Sequence, residues 1–183
     1  MNKNIALLAA VSAIVLAGNA NALEFKPYVG AQYNATHVNA KESTTNVDMN
    51  SYSVFAGTEY NRFFGTEVFY QNSNKWHKID AAGDKIKVDF AAYGLDGYAY
   101  LPLGCDRIFS LFATAGIANY DFDTADAVTK GEDNGLGYRL GAGAQYNFTS
   151  HVAVRALGRY IWTDKLEGMD HLAEFSLGLK YIF

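Results

Sequence analysis

The clearest fold signal in the sequence is the stretch Phe175-Ser176-Leu177-Gly178-Leu179-Lys180-Tyr181-Ile182-Phe183 at its end. Side chains alternate between the two faces of a β-strand, so every second residue shares a face. One face of this stretch is wholly apolar and carries Phe175, Leu177, Leu179, Tyr181 and Phe183. The pattern predicts a two-faced strand that ends on an aromatic residue, whereas the termini of soluble domains are usually polar and frayed.

The composition indicates a single all-β domain. Tyr (13), Phe (12) and Gly (17) are frequent among the 183 residues, while Pro (2) is rare, as expected for sheet-forming sequences. The net charge of −4 argues against a nucleic-acid-binding protein, which would be basic. The single cysteine, Cys105, cannot form an internal disulfide.

The first 22 residues are typical of a secretory signal peptide. Lys3 supplies the positive start, residues 5–17 form an apolar run, and Ala20 and Ala22 form an A-x-A cleavage site. The apolar run is too short for a permanent membrane helix, and no longer one follows. We therefore expect residues 23–183 to be exported, either as a soluble protein or as a transmembrane barrel.

Eight segments of the mature chain alternate in the same way as the last one. In each, one face is apolar with Tyr or Phe near its ends, and the other carries Gly, Gln, Ser and isolated charges. This pattern suits a narrow barrel with lipid outside and a crowded polar interior. The predicted strands are 25–34, 52–60, 64–71, 88–101, 108–120, 136–148, 152–162 and 175–183.

The connections alternate between long and short, as in an up-and-down barrel with external loops and periplasmic turns. The predicted long, polar loops are 36–50, 72–87, 121–135 and 163–170, and the short turns are 61–63, 102–107 and 149–151. An even number of strands places both ends of the domain on one side. The sequence therefore predicts an eight-stranded antiparallel up-and-down transmembrane β-barrel.

The mature chain resembles the small eight-stranded outer-membrane barrels of the OmpA transmembrane-domain, OmpX and Opa-like type. The resemblance rests on the strand motifs at 28–33 and 65–70 and on the last nine residues. It implies an outer-membrane location, contact with membrane lipids and lipopolysaccharide, and an assembly machinery that reads the C-terminal strand from Phe175 to Phe183. Because the sequence ends at the predicted barrel, we do not expect the peptidoglycan-binding domain that follows the barrel in OmpA.

The inward face of the predicted barrel carries nearly balanced charges. Its charged residues are Lys26, Glu59, Glu67, Asp96, Arg139, Arg155, Arg159, Glu174 and Lys180. Because unpaired charges in a narrow lumen are costly, near-balance favours a salt-bridged plug. The alternative is a small gated pore for ions or small solutes, in which Arg155 or Arg139 pairs with Glu67; a permanent channel would favour one sign of charge.

A catalytic or metal site is not expected. His171 beside Asp170 is the one candidate for an outer-rim lipid-modifying enzyme, and Ser176 lies too deep in the strand to serve it. No metal-ligand spacing such as H-x-x-x-H occurs, and no cofactor motif is present.

The predicted loops are where function is expected to concentrate. The 121–135 loop is acidic and the 72–87 loop is basic, so they could bind each other, divalent ions that bridge lipopolysaccharide, or a host surface molecule; alternatively, both are simply hydrophilic rims. We expect a structural or adhesin-like surface role, with the barrel as anchor and four extracellular loops as the contact surface.

Overall fold

The computed structural model describes residues 25–40, 47–73, 76–79, 85–104, 108–125, 130–164 and 169–183. These residues form nine β-strands in chain order: β1 (Lys26–Ala40), β2 (Val47–Glu59), β3 (Phe64–Ser73), β4 (Trp76–Ile79), β5 (Lys85–Leu103), β6 (Phe109–Ala125), β7 (Lys130–Asn147), β8 (Val152–Asp164) and β9 (Met169–Ile182). No helix in the described part of the chain is long and apolar enough to cross a membrane.

The strands close into a barrel. Each described strand pairs antiparallel with its neighbour, and β1 pairs with both β2 and β9. β3 and β4 follow one another along the same side of β5 and count as one position in the ring. The predicted eight-stranded antiparallel barrel is therefore confirmed.

The junction between β3 and β4 is irregular. Asn72 pairs with Ala91, and Trp76 pairs with Val88, so four residues along one side correspond to three along β5. The pairing of β2 with β3 ends at Ser51 and Ser73.

The alternation of β9 separates lipid from lumen. Leu177 is 55 % exposed and Leu179 60 % exposed, whereas Ser176 and Lys180, which flank them on either side, are each 1 % exposed. An apolar outer surface is stable only against lipid, because apolar area left in water would forfeit the hydrophobic stabilisation that membrane burial provides. The wall is thus apolar outside and polar inside, as the sequence pattern predicts.

Aromatic side chains form two bands on the outer surface. Near the short turns lie exposed Phe and Tyr side chains, among them Phe64, Phe109, Phe148, Tyr181 and Phe183. Farther along the strands, toward the long connections, lie Tyr33, Tyr52, Tyr70, Tyr138, Tyr160 and Trp162. Tyr and Trp favour membrane interfaces because one end of each ring is apolar and the other polar. The two bands therefore mark the borders of the membrane-spanning part.

The predicted extent of the long loops is wrong, because the strands continue far into them. β1 runs on to Ala40, β5 already begins at Lys85, β6 continues to Ala125 and β7 begins at Lys130. β4 lies wholly within the predicted 72–87 loop, and β9 begins at Met169 rather than at residue 175. The prediction ended each strand where apolar alternation ended, but backbone pairing needs no apolar face once the strand has left the lipid.

The predicted signal peptide 1–22, with Ala20 and Ala22 at its cleavage site, lies outside the described residues, as does Cys105.

Candidate functional site: the filled lumen and the loop end of the barrel

A row of lumen residues crosses four neighbouring strands of the wall at one level. Cross-strand pairing places Glu67 beside Asp96, Asp96 beside Gly116, and Gly116 beside Arg139. Two carboxylates directly opposite each other on neighbouring strands repel. Both carboxylates therefore need a cation nearby, and arginines on β8 approach them from across the lumen.

Arg155 on β8 forms the central ion pair. Its guanidinium donates to both oxygens of Glu67, with Nη1 2.6 Å from Oε2 and Nη2 2.8 Å from Oε1. Nη2 also donates to Gln32 Oε1 at 2.7 Å, and the guanidinium carbon lies 3.7 Å from the centroid of the Phe55 ring. Because β3 is four positions from β8 in either direction around the ring, this pair joins opposite walls.

Arg159 and Arg139 serve the second acidic pair. Arg159 donates from Nη1 to Glu174 Oε1 at 3.1 Å and from Nη2 to Asp96 Oδ2 at 3.2 Å. Nη2 of Arg139 lies 3.5 Å from Asp96 Oδ2, reaching across Gly116, and its guanidinium stacks 3.9 Å over the Phe69 ring. A Cβ at position 116 would collide with Asp96 Oδ1 and with the Leu95 carbonyl oxygen. Glycine is therefore needed at this crossing.

Lys180 forms a third ion pair nearer the turn end. Its Nζ lies 2.6 Å from Glu59 Oε1 and 3.7 Å from the centroid of the Tyr28 ring. The Glu59 side chain is 13 % exposed, and the Lys180 side chain is fully buried. The three groups of ion pairs thus differ in solvation, with the one at the turn end the wettest.

The structure brings together most of the nine predicted lumen charges. Seven are buried, Glu59 is half-buried and paired, and Lys26 is half-buried near the turn end. Of the two partners considered for Glu67, the structure places Arg155 there and places Arg139 near Asp96 and Glu174.

Uncharged polar residues that the sequence reading did not single out complete these contacts. Gln71 donates to Glu174 Oε2 at 2.7 Å and to Ser51 Oγ at 2.8 Å, while the hydroxyl of Tyr98 donates to Glu67 Oε1 at 3.0 Å. Asn34 donates to Ser53 Oγ at 2.6 Å. Their inward parity was visible in the sequence, but their partners, on distant strands, were not.

Apolar and aromatic side chains pack inside the barrel on both sides of the charges. Tyr98, Tyr100, Phe112 and Leu157 form one buried cluster toward the turn end. Met49, Ala92, Ala118, Tyr120, Ile161 and Leu172 belong to another and lie on the parts of their strands nearer the loop end. The expectation that the inner face holds mainly small side chains is therefore incomplete, because the inward glycines accommodate large aromatic neighbours; a Cβ on Gly143, for example, would lie 2.6 Å from Phe112 Cζ.

The strand extensions carry ordered rows of charge beyond the aromatic band. His77 pairs with Lys87, Lys87 with Ala125, and Ala125 with Lys130, which makes an outermost basic row. Two residues nearer the membrane, Asp89 pairs with Asp123 and Asp123 with Glu132, which makes an acidic row.

The one candidate for a rim enzyme, His171 beside Asp170, lies at the loop end of β9, where the side chains are outside the described part of the structure. Ser176 is buried in the lumen, where it donates to Glu174 Oε1 at 3.4 Å. Among the side chains that the structure describes, no three His, Cys, Asp or Glu residues converge as metal ligands.

The predicted C-terminal assembly residues all face outward. Phe175, Leu177, Leu179, Tyr181 and Phe183 are each about half exposed or more, and Phe183 N donates to the Pro27 carbonyl oxygen at 3.0 Å. The last residue is thereby attached to the first strand, at the point where the barrel closes. The reading of this strand by an assembly machinery stays a prediction.

Comparison with known proteins identifies the family to which this barrel is similar. Residues 5–183 match the family model described as the outer membrane protein beta-barrel domain. Among proteins with curated descriptions, none matches the sequence significantly.

Several solved structures share the fold at low sequence identity. Ail of Yersinia pestis, crystallised with the heparin analogue sucrose octasulfate, is 14 % identical, with a TM-score of 0.64 over 88 % of this chain and 100 % of Ail. Neisserial surface protein A is 19 % identical, with a TM-score of 0.66 over 86 % of this chain and 97 % of that protein. The N-terminal barrel of Pseudomonas aeruginosa OprF is 18 % identical, with a TM-score of 0.59 over 85 % and 97 % of the two chains.

Proposed function

This chain belongs to the outer membrane protein β-barrel family, and we propose that it is a closed membrane anchor whose loop end is an adhesin-like contact surface. The observation that carries the proposal is the continuation of the strands past the outer aromatic band. β1 continues past Tyr33 to Ala40, and β7 begins at Lys130, well before Tyr138. At about 3.3 Å per residue, these extensions carry the sheet roughly 25 Å along the strands beyond the aromatic band.

The filled lumen supports the anchor role. Ion pairs join opposite walls, and aromatic side chains pack on either side of them. A conducting path would need a larger bore and an excess of one charge sign. We therefore expect the refolded protein to be silent in a planar bilayer at moderate voltage. Discrete openings that change in Arg155→Ala would favour the gated pore instead.

The outermost basic row supports recognition of an anionic saccharide. Lys87 and Lys130 occupy one level of the sheet, with His77 beside Lys87. Phosphorylated lipopolysaccharide sugars and sulfated host glycans both offer the anionic groups that such a row attracts. Ail, a protein of the same fold, has been crystallised with a sulfated heparin analogue, which makes heparin a suitable probe for this chain.

The test uses the refolded full chain in nanodiscs with immobilised heparin or with lipopolysaccharide vesicles. We expect Lys87→Gln/Lys130→Gln to weaken binding several-fold and to flatten its salt dependence. The matched control, Asp89→Asn/Glu132→Gln, alters the adjacent acidic row and should not weaken it. Equal binding by wild type and the lysine variant would refute the contact surface; loss confined to one of the two probes would identify the source of the anion.

A further inference from the structure

A groove lies on the lipid-facing side of the barrel where β1 pairs with β9. Ala31 lines it, together with its direct partners Val54 on β2 and Leu179 on β9. Its volume of about 480 Å³ falls within the range of ligand pockets. The groove exists because the small side chain of Ala31 stands among larger outward-facing neighbours, whose side chains rise on either side of it.

Two tyrosines bound the groove toward the loop end. Tyr33 and Tyr52 pair directly across β1 and β2, with ring centroids 5.4 Å apart. Both belong to the outer aromatic band, so the groove lies in the hydrocarbon layer on the loop side of the barrel. The other outward-facing side chains that line it are all apolar: Ala31, Val54, Val154, Leu177 and Leu179. A lipid acyl chain is the ligand that matches such a lining.

Uncharged polar side chains lie just beyond the two tyrosines. Asn72 of β3 pairs directly with Tyr52, and Asn50 of β2 precedes Tyr52 by two residues on the same face. Both asparagines are exposed, whereas Ser51 and Ser73 beside them are buried in the lumen. Asn50 and Asn72 therefore face outward at the level of lipid headgroups, where their amides avoid the cost of facing hydrocarbon. These two residues form the polar border of the groove.

The polar border suits a headgroup that carries hydroxyl groups. An amide both donates and accepts hydrogen bonds. Nδ2 of Asn72 lies 3.5 Å from the Tyr70 hydroxyl oxygen, at the outer limit of a hydrogen bond, so the amide can also donate to a ligand. From Ala31 to Ala35, the partner of Asn50, β1 rises about 13 Å at about 3.3 Å per residue. One leaflet of the hydrocarbon core is about 15 Å thick, so a single lipid can contact both the groove and the polar border.

We propose that the groove and its polar border form one docking site for a lipid of the loop-side leaflet that has a saccharide headgroup. An acyl chain lies in the groove beside Ala31, and headgroup hydroxyl groups bind Asn50 and Asn72. Filling the groove gains dispersion contacts, but these contacts do not select among lipids, because all lipid tails are similarly apolar. Selection comes from the headgroup, through hydrogen bonds to hydroxyl groups, since neither residue of the polar border is charged.

The site is separate from the contact surface proposed above. It lies on the membrane-facing wall and uses none of the lysines in the outermost basic row. Heparin binding, which tests that surface, should therefore be unchanged in Ala31→Leu. Either proposal can fail while the other stands.

The experiment is native mass spectrometry of the refolded full chain in detergent micelles, with rough lipopolysaccharide or phosphatidylglycerol added at equal concentration. We expect lipopolysaccharide to be retained several-fold more than phosphatidylglycerol. Ala31→Leu fills the groove and should lower the retention of both lipids several-fold. Asn50→Leu/Asn72→Leu should lower only the retention of lipopolysaccharide, because it removes the amides and leaves the groove open.

The matched controls lie on β6, which is four positions from β1 in the ring and so belongs to the opposite wall. Ala113 faces outward about as far from the turn end as Ala31, and Asn119 faces outward nearer the loop end. Ala113→Leu and Asn119→Leu should leave the retention of both lipids unchanged. All variants must show the gel-mobility change on boiling that marks a folded barrel.

Three results would overturn the proposal. The first is wild-type retention in folded Ala31→Leu, or an equal loss in Ala113→Leu. The second is wild-type selectivity in folded Asn50→Leu/Asn72→Leu, which would remove the saccharide headgroup. The third concerns a second copy of the chain as the occupant: analytical ultracentrifugation would show a dimer that Ala31→Leu dissociates. Loss of lipid retention in Ala31→Leu with no change of oligomeric state supports the lipid site.

Discussion

The ion pair of Arg155 and Glu67 should dominate the stability of the lumen. Both side chains are at most 2 % exposed, and their two short contacts join opposite walls of the barrel. Removing one partner of a buried pair leaves the other charged and unpaired, which typically costs about 3–5 kcal/mol. We therefore expect Arg155→Met, and separately Glu67→Gln, to lower the free energy of unfolding by about that amount.

The double variant separates charge pairing from the loss of packing. In Arg155→Met/Glu67→Gln no unpaired charge remains at this position, and hydrophobic replacements of buried pairs are often close to neutral. The double variant should thus lose much less than the sum of the single losses, with a coupling energy of about 2–4 kcal/mol in the double-mutant cycle.

The assay is equilibrium urea unfolding of the refolded protein in lipid vesicles, monitored by tryptophan fluorescence and by gel mobility. Arg62→Met is the matched control, because Arg62 is exposed in the β2–β3 turn, where its guanidinium lies 4.9 Å from the centroid of the Phe63 ring. It should unfold at the wild-type urea concentration. Strictly additive losses in the double variant would refute the reasoning, since the two charges would then contribute independently of each other.

Three further perturbations test other parts of the structure. Gly116→Ala should destabilise the barrel by about 1–3 kcal/mol through overpacking. The control, Gly97→Ala, should be tolerated, because its Cβ would meet nothing closer than Ala115 O at 3.6 Å. Equal urea midpoints for the two variants would show that the space at Gly116 is not tight. Leu179→Arg, on the lipid-facing side of β9, should cost about 2–4 kcal/mol in vesicles, whereas Ser150→Arg in an exposed turn should cost little, and a small loss in Leu179→Arg would argue against lipid contact there. Deletion of Phe183 should lower the amount of barrel recovered from outer membranes, measured by immunoblot, whereas the control Phe148→Ala should not. An unchanged amount in the deletion variant would argue against an assembly role of the last residue.

The faces of the strands were predictable because period-two alternation depends only on local backbone geometry. Phe175 to Phe183 shows this most plainly, since each outward residue of that stretch was evident from its parity and each is exposed in the structure. The same argument identified Arg155, Arg159 and Glu67 as inward residues. Strand ends were not predictable, because β1 continues to Ala40 through polar positions where hydrophobicity no longer reports on pairing.

The all-β class, the two-faced strands and the near-balance of lumen charges follow from the order of side chains along the chain and could be predicted from it. The pairing of Arg155 with Glu67 and the approach of Arg139 to Asp96 across Gly116 appear only in the folded barrel. Partner choice depends on the register between strands and on closure of the ring. Both arise from backbone pairing over long sequence separations, which no local pattern encodes.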